Sequence, residues 1–220
     1  MPVVRQQRRA ASLITVQGEV SSVLNVDQAK VLRVPRNRAP VDRTEKRTEI
    51  VAAATSLFVE VGYDNTPMSK IAAAAGVTAN TIYWYFRDKD ELLIGVLDTV
   101  HAKTLIRFAA LGELPLGDRL LWAVQELTTY RRLVDTVHVR KAQTPEIDIW
   151  HNGFHSTWEG WIASNLALLG VSDVDVEAMT RVIVFVIESM VTHPDAELEN
   201  RAIVDVLLRM IDPPRDARRV

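Results

Sequence analysis

Asn65-Thr-Pro-Met-Ser-Lys-Ile-Ala-Ala-Ala-Ala-Gly-Val-Thr-Ala-Asn-Thr-Ile-Tyr-Trp-Tyr-Phe86 reads as two short helices joined by a tight turn. Thr66 is a helix-capping residue, and Pro67 falls at the first helical position, where a missing N–H does no harm. Met68, Ile71 and Ala72 then face one side, and Gly76 closes the segment. Thr78 opens the next helix only two residues later, and so short a connection crosses two helices at a steep angle. The pattern from Thr66 to Phe86 is that of a helix-turn-helix.

Upstream, Ile50, Val51, Ala54, Leu57, Phe58 and Val61 recur at helical spacing and end on Gly62. Asp42 followed by Glu45 predicts a capping box at the start of that helix. Before it, residues 1–41 combine Arg33, Arg36 and Arg38 with Pro35 and Pro40, which suits an extended basic arm rather than a packed helix. Downstream, Asp88 or Asp90 starts a long fourth helix, and every later segment again has helical periodicity. No convincing strand pair or internal repeat is found. The expected fold is all-α, with an N-terminal three-helix domain at 42–88, a helical domain at 89–211 and a tail at 212–220.

The run Ile71-Ala72, Ala75-Gly76-Val77, Thr81-Ile82-Tyr83, Tyr85-Phe86, Lys89 and Leu92 resembles the N-terminal domain of the TetR (tetracycline-repressor-like) family, over Asp42 to about Leu97. The resemblance implies a three-helix DNA-binding unit, a connecting fourth helix, an all-helical effector-binding core and a homodimer. Repression is the family expectation; no ligand or target gene is implied.

The residues point the same way by their own chemistry. Ile82 and Phe86 can seat on the core with Val77, leaving Ala79, Asn80 and Tyr83 on another arc. Asn can make a bidentate contact to adenine, Ala79 can touch a thymine methyl, and Tyr83 can reach a base or a phosphate. Thr66, Thr78, Thr81, Trp84, Tyr85 and Lys89 are candidate phosphate contacts. Two readings stay open: Tyr85 can belong to the core, and Asn80, standing where many relatives carry Gly or Pro, is either a specificity element or simply tolerated.

Further along, Trp150, Phe154, Trp158 and Trp161 fall on one narrow arc of a helix from about Glu146 to Leu169, with His151 and His155 on the same face. This face is expected to line a pocket for a small apolar or aromatic effector, or else to fill the core. A small-residue stripe, Gly153, Thr157, Gly160 and Ser164, either admits another helix or leaves open volume. Val182–Ile187 is apolar all round, so the helices at 172–191 and 197–210 are expected to form a two-fold homodimer, which would read a palindromic site in double-stranded DNA.

Composition bounds the alternatives. The 220 residues are 48% hydrophobic, 25% charged and contain no cysteine, which excludes disulfides, a thiolate nucleophile and cysteine-ligated metal sites. Residues 1–42 carry seven basic against three acidic residues, while residues 90–220 carry 13 against 20. Positive charge at the front favours a polyanionic partner there. No apolar run reaches the roughly 20 residues of a membrane span, and the cytoplasm is the expected compartment. No cofactor and no catalysis are expected. His151, His155 and Glu159 are spaced along one helix, but Asn152 stands where a zincin carries Glu, so no metal site is expected either. A helical DNA-binding scaffold without small-molecule control, or a metal-dependent helical enzyme, are the rival classes.

Overall fold

In the computed structural model, which describes residues 40–193 and 197–211, the chain is helical throughout, and no strand occurs among the described residues. The helices are α1 (Pro40–Glu60), α2 (Met68–Ala74), α3 (Ala79–Tyr83), α4 (Lys89–Ala109), α5 (Leu116–Thr129), α6 (Arg131–Arg140), α7 (Pro145–Leu168), α8 (Asp173–Thr192) and α9 (Glu197–Ile211). The expected arm with Arg33, Arg36 and Arg38 and the tail lie outside the described residues.

Local chemistry explains most boundaries. Asp88 is the residue that begins α4, its carboxylate accepting from the Glu91 N–H at 2.8 Å. Thr78 caps α3 by accepting from the Thr81 N–H at 3.2 Å. Gly76, between α2 and α3, has φ +63°, a left-handed value that most side chains disfavour, and this reversal sets the steep crossing.

Three boundaries differ from expectation. Helix α1 begins at Pro40, so Asp42 lies inside it and not before it; a proline costs nothing at a first turn whose N–H groups have no partners. Thr66 does not cap α2, because its hydroxyl donates back to the Gly62 carbonyl at 2.7 Å and Pro67 takes the capping place. Helix α3 ends at Tyr83, where the Trp84 and Tyr85 N–H groups turn to carbonyls three residues back.

Two hydrophobic clusters organise the packing. The first gathers Ile50, Ala54, Phe58, Ile71, Ile82, Phe86, Leu92 and Leu93, and also Leu133, Val137 and Ile147 from α6 and α7. The second joins α5, α7, α8 and α9 through Leu120, Val124, Ile162, Leu166, Ile183 and Val204. The three-helix head therefore takes part of its core from beyond residue 89.

Polar contacts reinforce that junction. The Asp90 carboxylate accepts from Arg140 at the end of α6, from the Tyr63 hydroxyl, and from Thr144 at 2.9 Å. Arg132 donates to the carbonyls of Val59 and Glu60 at the last turn of α1, where a cation suits the negative end of the helix.

Candidate nucleic-acid interface and internal cavity

Helix α3 turns its apolar residues inward, with Ile82 and Phe86 fully buried and Val77 packed beside them. That leaves Asn80, Tyr83 and Trp84 outward; Tyr83 is 52% and Trp84 80% exposed. Two large aromatic groups held in water on a short helix leave apolar area uncovered, which is unusual unless something binds there. Thr78 is exposed and Thr81 half-buried, their hydroxyls 2.9 Å apart.

The remaining candidates are placed otherwise. Thr66 is fully buried, its hydroxyl committed to the Gly62 carbonyl in the loop after α1. Ala79 and Tyr85 are half-buried against the head's core. The Lys89 ammonium donates to the Tyr63 carbonyl at 2.6 Å and lies 4.0 Å from the Tyr63 ring centre, and burial lowers its pKa. It braces the loop after α1 instead of reaching outward. Sequence reasoning passed over Lys70, an exposed cation on α2; a lone lysine among alanines offered no pattern.

The six residues singled out on α7 do converge. Trp150, His151, Phe154, His155, Trp158 and Trp161 all line one cavity of about 150 Å³ enclosed by α4 to α8. Its walls are mainly aromatic and aliphatic. Phe108 of α4 sits edge-on to Trp158 and Trp161, with ring centres 4.9 and 4.8 Å away, and Trp150 stacks on Phe154 at 5.5 Å. These are the offset and edge-to-face geometries aromatic quadrupoles favour. The small-residue stripe is elsewhere: Gly153, Thr157, Gly160 and Ser164 are exposed, and neither glycine has a neighbour in its Cβ direction.

Of the polar groups that line the cavity, Thr104, Glu126 and His151 are buried. Glu126 accepts from Thr104 at 3.2 Å and from Arg107 at 2.9 Å. Burial lowers the pKa of His101, His138 and His151, the last to about 4, so these imidazoles are neutral near pH 7. The indole N–H of Trp158 and His101 Nε2 are buried without a hydrogen-bond partner, and buried polar atoms of that kind suit a ligand with matching groups. His101 and Phe108 of α4, His138 of α6 and Glu188 of α8 were missed in the sequence because they reach the cavity from helices other than the one that carries the aromatic arc. For His138 a faint signal existed, its place one turn after the inward-facing Val134.

Residues 50–96 match the family described as bacterial regulatory proteins, tetR family. The HTH-type transcriptional regulator TtgR of Pseudomonas putida is 39% identical over 64 residues, covering 29% of this chain and 30% of that protein. AcrR of Shigella flexneri is 30% identical over 102 residues, 46% of this chain and 43% of that protein. The matched stretches thus span less than half of these relatives. Among solved structures, a transcriptional regulator from Saccharomonospora viridis in complex with choline superposes with a TM-score of 0.61 at 20% identity, covering 76% of this chain and 96% of that one. FadR of Bacillus subtilis in complex with stearoyl-CoA gives 0.57 at 20% identity, covering 76% and 97%. These likenesses carry the fold beyond the matched segment. No described helix is long and apolar enough to cross a membrane. Residues 50–96 thus carry a helix-turn-helix similar to that of the tetR family of bacterial regulatory proteins, on a helical body whose fold these solved structures share.

Proposed function

We propose that the protein is a sequence-specific DNA-binding transcriptional regulator, a repressor released by a small apolar or aromatic effector. The observation that carries the DNA-binding reading is the outward presentation of Asn80 and Tyr83 on α3, and of Trp84 just after it, while the other side of the helix is locked into the core. Asn80 and Tyr83 are assigned to bases, and Thr78, Thr81 and Trp84 to phosphates. The division into a reading head at 42–88 and a ligand-taking body at 89–211 is one of function, since the core packing crosses it.

The assignment is tested with an operator selected from random duplex DNA. Tyr83→Ala is expected to lower affinity roughly tenfold, and Asn80→Ala to relax the preference at one base pair, by about 1–3 kcal/mol of discrimination. Thr78→Ala should weaken all sequences alike. Wild-type binding by Tyr83→Ala would sink the recognition-helix assignment.

The effector reading rests on the aromatic cavity between α4 and α8. Its volume matches that of an engineered apolar cavity known to hold a benzene-sized molecule, and two proteins of the same fold were solved with choline and with stearoyl-CoA.

A homodimer through α8 and α9 is supported by apolar groups with no cover in the single chain. Phe185 is 66% exposed, and Val174 and Val182 of α8 and Ile203, Val206 and Met210 of α9 are exposed as well. The opposite side of α8 is already buried through Ile183, Met190 and Val191. A charge at the centre of such a patch leaves it desolvated and unpaired in the dimer. Phe185→Glu is accordingly expected to be monomeric by light scattering at a concentration where the wild type is dimeric, and a monomeric wild type removes the claim.

A further inference from the structure

Three of the five histidines, His138, His151 and His155, meet at one end of the cavity, each offering a ring nitrogen within 4.8 Å of the others. They come from two helices, His138 from α6 and the other two from successive turns of α7. A third helix supplies a carboxylate, with Glu188 Oε1 of α8 lying 3.4 Å from His155 Nε2. We infer that these four side chains bind one divalent transition-metal ion of the zinc class, with His138, His151 and His155 as nitrogen ligands and Glu188 as the oxygen ligand.

The donor set selects the metal. Neutral imidazoles with one carboxylate suit zinc, cobalt, nickel or copper, whereas magnesium and calcium require mostly oxygen donors. Four ligands at about 2.0–2.1 Å from a tetrahedral ion stand roughly 3.4 Å apart. Closing the site therefore requires the three imidazoles, now up to 4.8 Å apart, to draw in by roughly 1–1.5 Å and Glu188 to swing from His155 toward the other two rings.

Two further observations favour a ligand role. His151 Nδ1 is buried with no hydrogen-bond partner, a cost that coordination or a shifted ring would remove. His155 Nδ1 lies 3.7 Å from Glu159 Oε1, too far for a hydrogen bond as it stands but close enough for a small ring rotation to make one while Nε2 faces Glu188. This is the carboxylate–histidine–metal arrangement seen behind many zinc ligands. It also gives Glu159 a supporting part, not the direct one that its helical spacing suggested. Among the described residues an opposing group is Lys141, whose ammonium lies 3.3 Å from His151 Nε2; a bound cation would turn it away, and its flexible stem permits that.

The test is direct binding to the full chain without a polyhistidine tag, stripped with chelator. Cobalt(II) titration is expected to give the visible absorption of a four-coordinate centre, saturating at one ion per chain and abolished by added zinc. Magnesium should produce no change. His138→Ala should lower zinc affinity at least a hundredfold and Glu188→Gln roughly tenfold, and Lys141→Met should raise it. If His138→Ala melts before the wild type does, His138→Gln keeps the side-chain volume and loses the ligand. Absence of stoichiometric cobalt binding overturns the site, as does undiminished binding in both His138 variants. DNA and effector enter none of these measurements, so the metal site and the regulator reading stand or fall separately.

Discussion

Asp90→Asn is expected to lower the stability of the folded chain by about 2–3 kcal/mol, read as a fall of roughly 5–10 °C in melting temperature for a chain of this size. The carboxylate accepts from Arg140, Tyr63 and Thr144 at once, and the Arg140 and Asp90 side chains are only 25% and 17% exposed. Asparagine keeps the shape and one oxygen but leaves the Arg140 charge without its partner. The figure is set below that of a fully buried pair because water still reaches the guanidinium. Burial alone would raise the Asp90 pKa, but the hydrogen bonds from Arg140, Tyr63 and Thr144 outweigh it and hold it low. Its stabilisation is therefore complete above the ordinary carboxylate range near pH 4 and is lost as the pH falls through the folded value. The gap between wild type and variant should close over that acid window. Replacing both charges, as Asp90→Leu with Arg140→Met, should cost less than Asp90→Asn alone. Equal melting of Asp90→Asn and wild type at pH 7 would show the cluster to be ornamental.

Trp158→Ala should bind the operator as the wild type does while losing at least tenfold in affinity for a single-ring aromatic such as indole. Trp158 forms one wall of the cavity, edge-on to Phe108 and 6.2 Å from Phe154. An aromatic ligand between these rings loses both contact area and an edge-to-face pair, the latter alone worth about 0.5–1.5 kcal/mol. Binding is read from the ligand-induced rise in melting temperature, which grows with the logarithm of ligand over dissociation constant. Release of DNA by the ligand requires that it prefer the conformation that does not bind DNA. Because truncating a tryptophan can cost about 3–5 kcal/mol in a packed core, Trp158→Phe serves as a second variant that retains an aromatic wall. An unchanged indole response in both variants would place the ligand elsewhere and leave Trp158 as core.

What the sequence made legible follows from the range of the interactions. Periodicity, the turn at Gly76 and the caps at Thr78 and Asp88 are contacts within one or two helical turns, so the head and its outward face at Asn80 and Tyr83 were readable. So was the arc of Trp150, Phe154, Trp158 and Trp161, since one helix carries all four. The placement of Thr66 and Lys89 was not legible for the opposite reason. Their polar groups are drawn to the Gly62 and Tyr63 carbonyls, in a loop whose path only the folded chain fixes. The histidine cluster shows the same limit. His151 and His155 were visible as a pair, but Glu159, their neighbour in the helix, is less central than His138 and Glu188, which arrive from α6 and α8.

The shared core has a kinetic meaning as well. A chain ending at residue 88 would lack Leu92, Leu93, Val96 and Leu97 and the wall formed by Leu133, Val137 and Ile147, all of which close the head's core. The head is thus no foldon of its own: its buried amides can open to solvent only when α4 and α6 open too, and hydrogen exchange should report one protection level across all three. An event that loosens α6 then reaches α3 as a change in how often it unfolds, without any path of displaced side chains between them.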